Sequence, residues 1–336
     1  MRVLLKIMAF GALLGGLGLT SPFALAAESP QAANPTVDSR NRDDAVCTKC
    51  HDASETKAVL SIYQTRHGVK ADGRTPTCQS CHGTSEAHVK NTAGTATRPA
   101  PEVLFGSRSS KDSSFKRSPI EAQNASCLTC HDKSVARTRW AGSAHQVNDV
   151  ACVSCHEIHT AHDQVRDRRT QPEVCFACHK EQRADSKKMS HHPIGEGKVV
   201  CSDCHNPHGS TGPKLLKKNT VTETCYTCHA EKRGPFLFEH QPVVEDCTNC
   251  HTPHGSNITP LLKSRPPFMC QECHDGTHAS GTPAGPNAAG FQGGLSTKNA
   301  NNANQWPSQN IGGRACMNCH VLVHGSNSPA GGYFQR

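Results

Sequence analysis

One pattern of side chains recurs along this chain: two cysteines two residues apart, with a histidine directly after the second. It stands as CTKCH at 47, CQSCH at 78, CLTCH at 127, CVSCH at 152, CFACH at 175, CSDCH at 201, CYTCH at 225, CTNCH at 247, CQECH at 270 and CMNCH at 316. The ten copies use all twenty cysteines. On one turn of helix such a thiol pair matches the spacing of two vinyl groups on a porphyrin. Adding both thiols across the vinyls fixes the macrocycle, and the adjacent histidine points at the iron as proximal ligand. A zinc ribbon also uses CxxC pairs but has no reason to place His after every second Cys. A disulfide scaffold would not hold every Cys at a fixed offset of three, and a thioredoxin-like pair occurs once per domain. The expected cofactors are therefore ten covalently bound haem c groups. Their attachment residues are Cys47, Cys50, Cys78, Cys81, Cys127, Cys130, Cys152, Cys155, Cys175, Cys178, Cys201, Cys204, Cys225, Cys228, Cys247, Cys250, Cys270, Cys273, Cys316 and Cys319. The proximal ligands are His51, His82, His131, His156, His179, His205, His229, His251, His274 and His320.

Of the 22 histidines, twelve lie outside the motifs. Ordinary composition gives far fewer, and they are read as distal ligands. The chain divides into five two-haem modules, each ordered motif, intermediate His, motif, trailing His, as a repeat array requires. The intermediate positions are His67, His145, the His191/His192 pair, His240 and His278; the trailing ones are His88, His159, His208, His254 and His324. Of the adjacent pair, His192 is favoured because Pro193 holds it out of helical geometry. His162, three residues past His159, is assigned to the surface with His191. A His three residues beyond a proximal ligand, as in CSDCHNPHGS, cannot easily swing to the opposite face of the same porphyrin, so His208 is expected to cap a neighbouring haem. Gly209 and Gly255 are expected to let backbone approach the ring closely. Which distal His serves which iron does not follow from spacing.

Iron with imidazole on both faces has no vacancy for a small substrate, so its remaining chemistry is gaining and losing an electron. No catalytic residue is therefore assigned, and the chain is read as an electron carrier. Counting twenty propionates and ten ferric centres against a charge of +6, the formal +8 less Arg2 and Lys6 of the signal, gives a net charge of about −4 oxidised and about −14 reduced. Mutual repulsion should spread the redox titration over several tenths of a volt.

What must position these groups is a sparse scaffold. Hydrophobic residues make up 35% and aromatics 4% of the 336-residue chain, too little to fill a core of that size without help from porphyrin surface. Short α-helices are expected at or beside the motifs, joined by Pro- and Gly-rich loops with practically no β-sheet. Residues 1–26 read as a signal peptide: Arg2 and Lys6, an apolar run, then Ala24-Leu25-Ala26. Residues 27–336 form the mature domain. The formal charge of +8 is dispersed, and export separates the protein from nucleic acid, so none is expected as a partner. Two long haem-free stretches remain. Residues 83–126 carry Arg98, Arg108, Lys111, Lys116 and Arg117, and residues 276–313 are rich in Gly, Asn and Ala.

At ETCYTCHAEKRGPFLFEH (223–240), CSDCHNPHGS (201–210), CTNCHTPHGS (247–256) and CMNCHVLVHGS (316–326), the sequence resembles the MtrA-type periplasmic decahaem cytochromes, or DmsE family, which include iron-oxidising MtoA and PioA kinds. The resemblance covers essentially the whole mature chain. It implies a multihaem cytochrome c whose short helices and loops wrap a linear chain of ten haems, as one elongated domain or as five-haem halves at 27–190 and 191–336. It also implies insertion in an outer-membrane β-barrel porin, conducting electrons between periplasm and cell exterior for extracellular metal or dimethyl sulfoxide reduction, or for Fe(II) oxidation. The implied partners are that porin, an extracellular multihaem cytochrome or terminal reductase, and a periplasmic or inner-membrane cytochrome. The family's distal histidines fall on His67, His88, His145, His159, His192, His208, His240, His254, His278 and His324. The alternatives are a free periplasmic electron shuttle or store, and a multihaem reductase; the latter needs an open haem, often marked by CxxCK, which this chain lacks.

Overall fold

The computed structural model describes residues 42–55, 58–69, 74–91, 98–106, 116–274 and 316–335. The expected signal peptide, the loop at 276–313, Arg108, Lys111 and His278 lie outside the described residues. Among the described residues there is no sheet; pairing is confined to isolated bridges joining Ser190 to Ser256, His205 to Leu216, Phe238 to Ser326 and His251 to Leu262. Helices are short, and the longest, Ile120–His131, has 12 residues. No described helix is long and apolar enough to cross a membrane.

The motifs explain where helix forms. In motif after motif the histidine N–H donates to the carbonyl of the first cysteine, as in His51 to Cys47 at 3.0 Å, His179 to Cys175 at 3.0 Å and His320 to Cys316 at 2.9 Å. One closed turn is thus built at each attachment site, sometimes with a cap: Thr77 Oγ1 accepts from Ser80 N, and Thr220 Oγ1 from Glu223 N. Helices this short do not stand alone in water. Apolar packing gives little support, since the buried hydrophobic residues are Leu60, Trp140, Ala151, Phe176, Val200 and Leu262.

Buried polar side chains take up that role by tying one motif to the next. Cys78 N donates to Asp44 Oδ1 at 2.7 Å, and Cys152 N donates to Asn124 Oδ1 at 2.8 Å. Asp44 and Asn124 each precede the first cysteine of their own module by three residues. Thr222, at the same offset, donates to the Glu245 carbonyl at 3.3 Å, just before the motif at 247.

Motifs touch in strict alternation. Within a module the first cysteines meet: Cys47 with Cys78, Cys127 with Cys152, Cys175 with Cys201, Cys225 with Cys247 and Cys270 with Cys316. Between modules the second cysteines come near one another: Cys81 to Cys130, Cys155 to Cys178, Cys204 to Cys228 and Cys250 to Cys273. The result is a one-dimensional array in which each attachment turn between the first and the last has one neighbour on either side. Across residue 190, where the halves would divide, Asn206 Nδ2 donates to the Ala136 carbonyl at 3.1 Å.

Candidate haem-binding sites

The second motifs of the third and fourth modules are built alike, atom for atom. Asn206 N donates to Leu215 O and Thr252 N to Leu261 O, both at 2.7 Å; Lys217 N donates to Cys204 O and Lys263 N to Cys250 O. The loop folded back in each case offers a carbonyl to the proximal ring: Lys214 O to His205 Nδ1 and Pro260 O to His251 Nδ1, both 2.9 Å away.

The rings then fall into nine pairs, each joining one motif histidine to one of the twelve others. Centroid separations are 6.1 Å for His51 with His88, 5.9 Å for His131 with His67, 6.3 Å for His82 with His159 and 6.0 Å for His156 with His208. They are 6.2 Å for His179 with His145, 6.1 Å for His205 with His254 and 6.2 Å for His229 with His192. His251 with His324 stands at 6.2 Å and His274 with His240 at 6.0 Å. His320 has His278 left over, which lies outside the described residues.

The pairing follows a rule. The intermediate His of each module faces the first motif of the next, and the trailing His of that next module faces the second motif of the one before. Neighbouring modules therefore exchange rings, and among the nine pairs of described residues the first, His51 with His88, is the one that closes within its own module. His208 lies against His156 and not beside its sequence neighbour His205.

Backbone carbonyls fix the exchanged rings. His145 Nδ1 donates to Pro207 O at 2.8 Å, His192 Nδ1 to Pro253 O at 2.7 Å and His240 Nδ1 to Val323 O at 2.9 Å. Each acceptor precedes the trailing His of the following module, so one junction orients two rings. Pro207 and Pro253 thus supply carbonyls as well as shaping the chain. The glycines that follow have a different neighbour from the one their sequence suggests. A Cβ on Gly209 would strike the Arg139 carbonyl, and one on Gly255 the Asp185 carbonyl, so what these glycines admit is backbone of the preceding module.

The geometry fits an iron porphyrin. Two metal–imidazole bonds of about 2.0 Å, with roughly 1.2 Å from each nitrogen to its ring centre, put centroids roughly 6.4 Å apart. Among the described residues no group of three or more His, Cys, Asp or Glu converges on a point, so equatorial ligands must come from elsewhere, as a macrocycle supplies them. Burial lowers the basicity of His67, His82, His131, His205, His254 and His324, and with the charges of His156 and Arg137 takes His208 to about 4. These rings are neutral at neutral pH, the form that binds metal.

The spare histidines are otherwise engaged. His191 Nδ1 bonds the Lys188 carbonyl, with Glu196 3.7 Å from Nε2, and His162 Nε2 pairs with Asp167 at 3.1 Å. Spacing alone does not reveal the aromatic walls: Phe105 stands edge-on to His82 at 5.1 Å, buried Trp140 lies 6.4 Å from His208, and Phe334 lies 5.2 Å from His240.

Residues 191–234 and 240–279 match the family described as a doubled CXXCH motif, and residues 78–172 match the family described as cytochrome c-type protein NrfB-like. The doubled motif frames 201 with 225 and 247 with 270, the junctions where second cysteines approach. The chain is 43% identical over 296 residues to the multihaem cytochrome MtrA of Shewanella baltica (strain OS185), covering 86% of this chain and 80% of that protein. It is 26% identical over 191 residues to the cytochrome c-type protein NrfB of Escherichia coli O6:H1, covering 55% of this chain and 92% of that protein. A cytochrome c-type protein NrfB of Haemophilus influenzae is 26% identical over 166 residues, covering 44% and 70% respectively.

Proposed function

This chain belongs to the MtrA family of multihaem cytochromes, which makes it an electron-transport protein with covalently bound haem c, and we propose that it works as a closed conductor. In this reading there are ten haems, each gripped between two imidazoles. The ring pairs above supply nine ligand sets, and His278 with His320 supplies the tenth by elimination. The observation that carries the reading is the ring spacing itself: nine motif histidines each meet a different non-motif histidine at the separation one iron needs.

When bound, haem c supplies a one-electron Fe(III)/Fe(II) couple. The chain's residues do the rest. The cysteine pairs hold each macrocycle at a fixed place in the array, and their alternating contacts keep successive attachment sites adjacent. At His82, His88, His145, His159, His192, His205, His240, His251 and His320 a carbonyl on Nδ1 holds the imidazole in the tautomer whose Nε2 lone pair is free for iron. A histidine would stand on either side of each haem, which favours conduction over catalysis on a small substrate.

The proposed setting is periplasmic, inside an outer-membrane β-barrel porin. Electrons would pass between a periplasmic or inner-membrane cytochrome and an extracellular multihaem cytochrome or terminal reductase. This rests on the family and on the one-dimensional order of the attachment turns. Two measurements test the reading. Carbon monoxide added to the reduced native protein should leave the haem spectrum unchanged; stoichiometric binding would remove the closed-iron premise. Detergent extraction should recover the protein with an outer-membrane barrel, whereas release by osmotic shock alone would point to a free shuttle.

A further inference from the structure

The groups on the outer nitrogens of the motif histidines are not equivalent. His82, His205, His251 and His320 have backbone carbonyls on Nδ1. His131 has the Arg137 guanidinium at 3.1 Å, which can only donate. His51 and His156 have a carboxylate within hydrogen-bond distance, Glu55 Oε1 and Asp163 Oδ2, each at 2.8 Å, while Glu231 stands 3.8 Å from His229 Nδ1. The two differ in burial. The Glu55 and His51 side chains are 35% and 44% exposed, so water screens that pair, whereas Asp163 and His156 are 16% and 31% exposed. The other oxygen of Asp163 accepts the Glu157 N–H at 3.3 Å, which fixes the carboxylate plane against the ring.

We propose that Asp163 is a positioning residue that sets the reduction potential of the His156–His208 centre, holding it lower than the carbonyl-backed centres of His82, His205, His251 and His320. This rests on the ligation proposed above. A carboxylate on Nδ1–H draws the proton outward and gives the ring imidazolate character, which strengthens its bond to iron. Ferric iron carries one more positive charge than ferrous and gains more from that donation. The step concerned is addition of one electron to one iron, from an electrode or a neighbouring haem, with no bond made or broken. At His131 the positive charge of the Arg137 guanidinium would instead disfavour the ferric state, so adjacent centres would form a step in the array.

The test is potentiometric. His208→Ala opens one iron, so a single high-spin haem with its own spectrum appears while His156 and Asp163 stay in place. Adding Asp163→Asn, which keeps an acceptor on Nδ1–H but removes the charge, should favour reduction of that haem about tenfold, or about +59 mV for one electron. Asp163→Glu should restore most of the shift. An unmoved potential overturns the tuning while leaving ligation intact; absence of a high-spin haem in His208→Ala overturns both. Asp163→Asn in the otherwise native protein is the second measurement, since it needs no open site. One electron equivalent of the titration should move upward, and a curve that superimposes on the native one overturns the proposal.

Discussion

The first centre and the interior centres are built from the same parts in different ways. His51 and His88 lie 37 residues apart and belong to one module, whereas His82 meets His159, His156 meets His208 and His205 meets His254 across module boundaries. The terminal site is thus a local structure, and each interior site is a joint. Breaking a terminal pair should cost the molecule one cofactor environment, while breaking an interior pair should also loosen two modules from each other.

The sharpest way to separate the two is to remove one distal ring from each. His88→Ala and His254→Ala should each let the reduced protein bind one equivalent of carbon monoxide, read by spectral titration. Only His254→Ala should open the chain between modules, losing about 3–4 kcal/mol by analogy with one ligand of a four-ligand structural metal site, and exposing a new protease-sensitive point. Equal stability of the two variants would dissolve the distinction. Next in size, Gly255→Val drives a side chain into the Asp185 carbonyl and should cost about 2–3 kcal/mol in thermal unfolding, whereas Gly195→Ala, with no atom nearer than Lys187 Nζ at 3.8 Å, should be silent.

The polar clamps should give a smaller effect. Asn124→Ala strands the buried Cys152 N–H and should cost about 1–2 kcal/mol, confined to the second module in hydrogen exchange. Asp44→Ala loses bonds to Cys78 N and to Tyr63 Oη at 3.0 Å, and should confine its damage to the first module. The smallest effect belongs to the exposed Arg168–Asp203 pair, whose removal by Arg168→Ala should leave the unfolding midpoint within error. A large change there would mean that the surface contributes to holding the array together.

The attachment sites were legible because their chemistry is local: two thiols and an imidazole on one turn must be neighbours in sequence. The absence of sheet among the described residues follows from the same shortage of apolar side chains that the composition displays. The partners of the distal rings were not legible, because His145 reaches a motif 30 residues on while His208 reaches back 52, and spacing carries no direction. The choice between His191 and His192 turns on one peptide: the ring that meets His229 is His192, and its neighbour turns to the Lys188 carbonyl. The close backbone neighbours of Gly209 and Gly255 were not legible for a similar reason, since Arg139 and Asp185 are distant in the chain. The Asn124 and Asp44 clamps carry a signal only in hindsight, a polar residue three places before a motif.

The exchange of rings between modules also imposes a timetable on biogenesis. On the proposed ligation, a chain emerging amino terminus first can complete the His51–His88 centre as soon as residue 88 is out. The haem attached at 152–156 must wait with one face bare until His208 arrives. Each later segment completes the one before it, so a truncated product leaves a single reactive iron at its broken end.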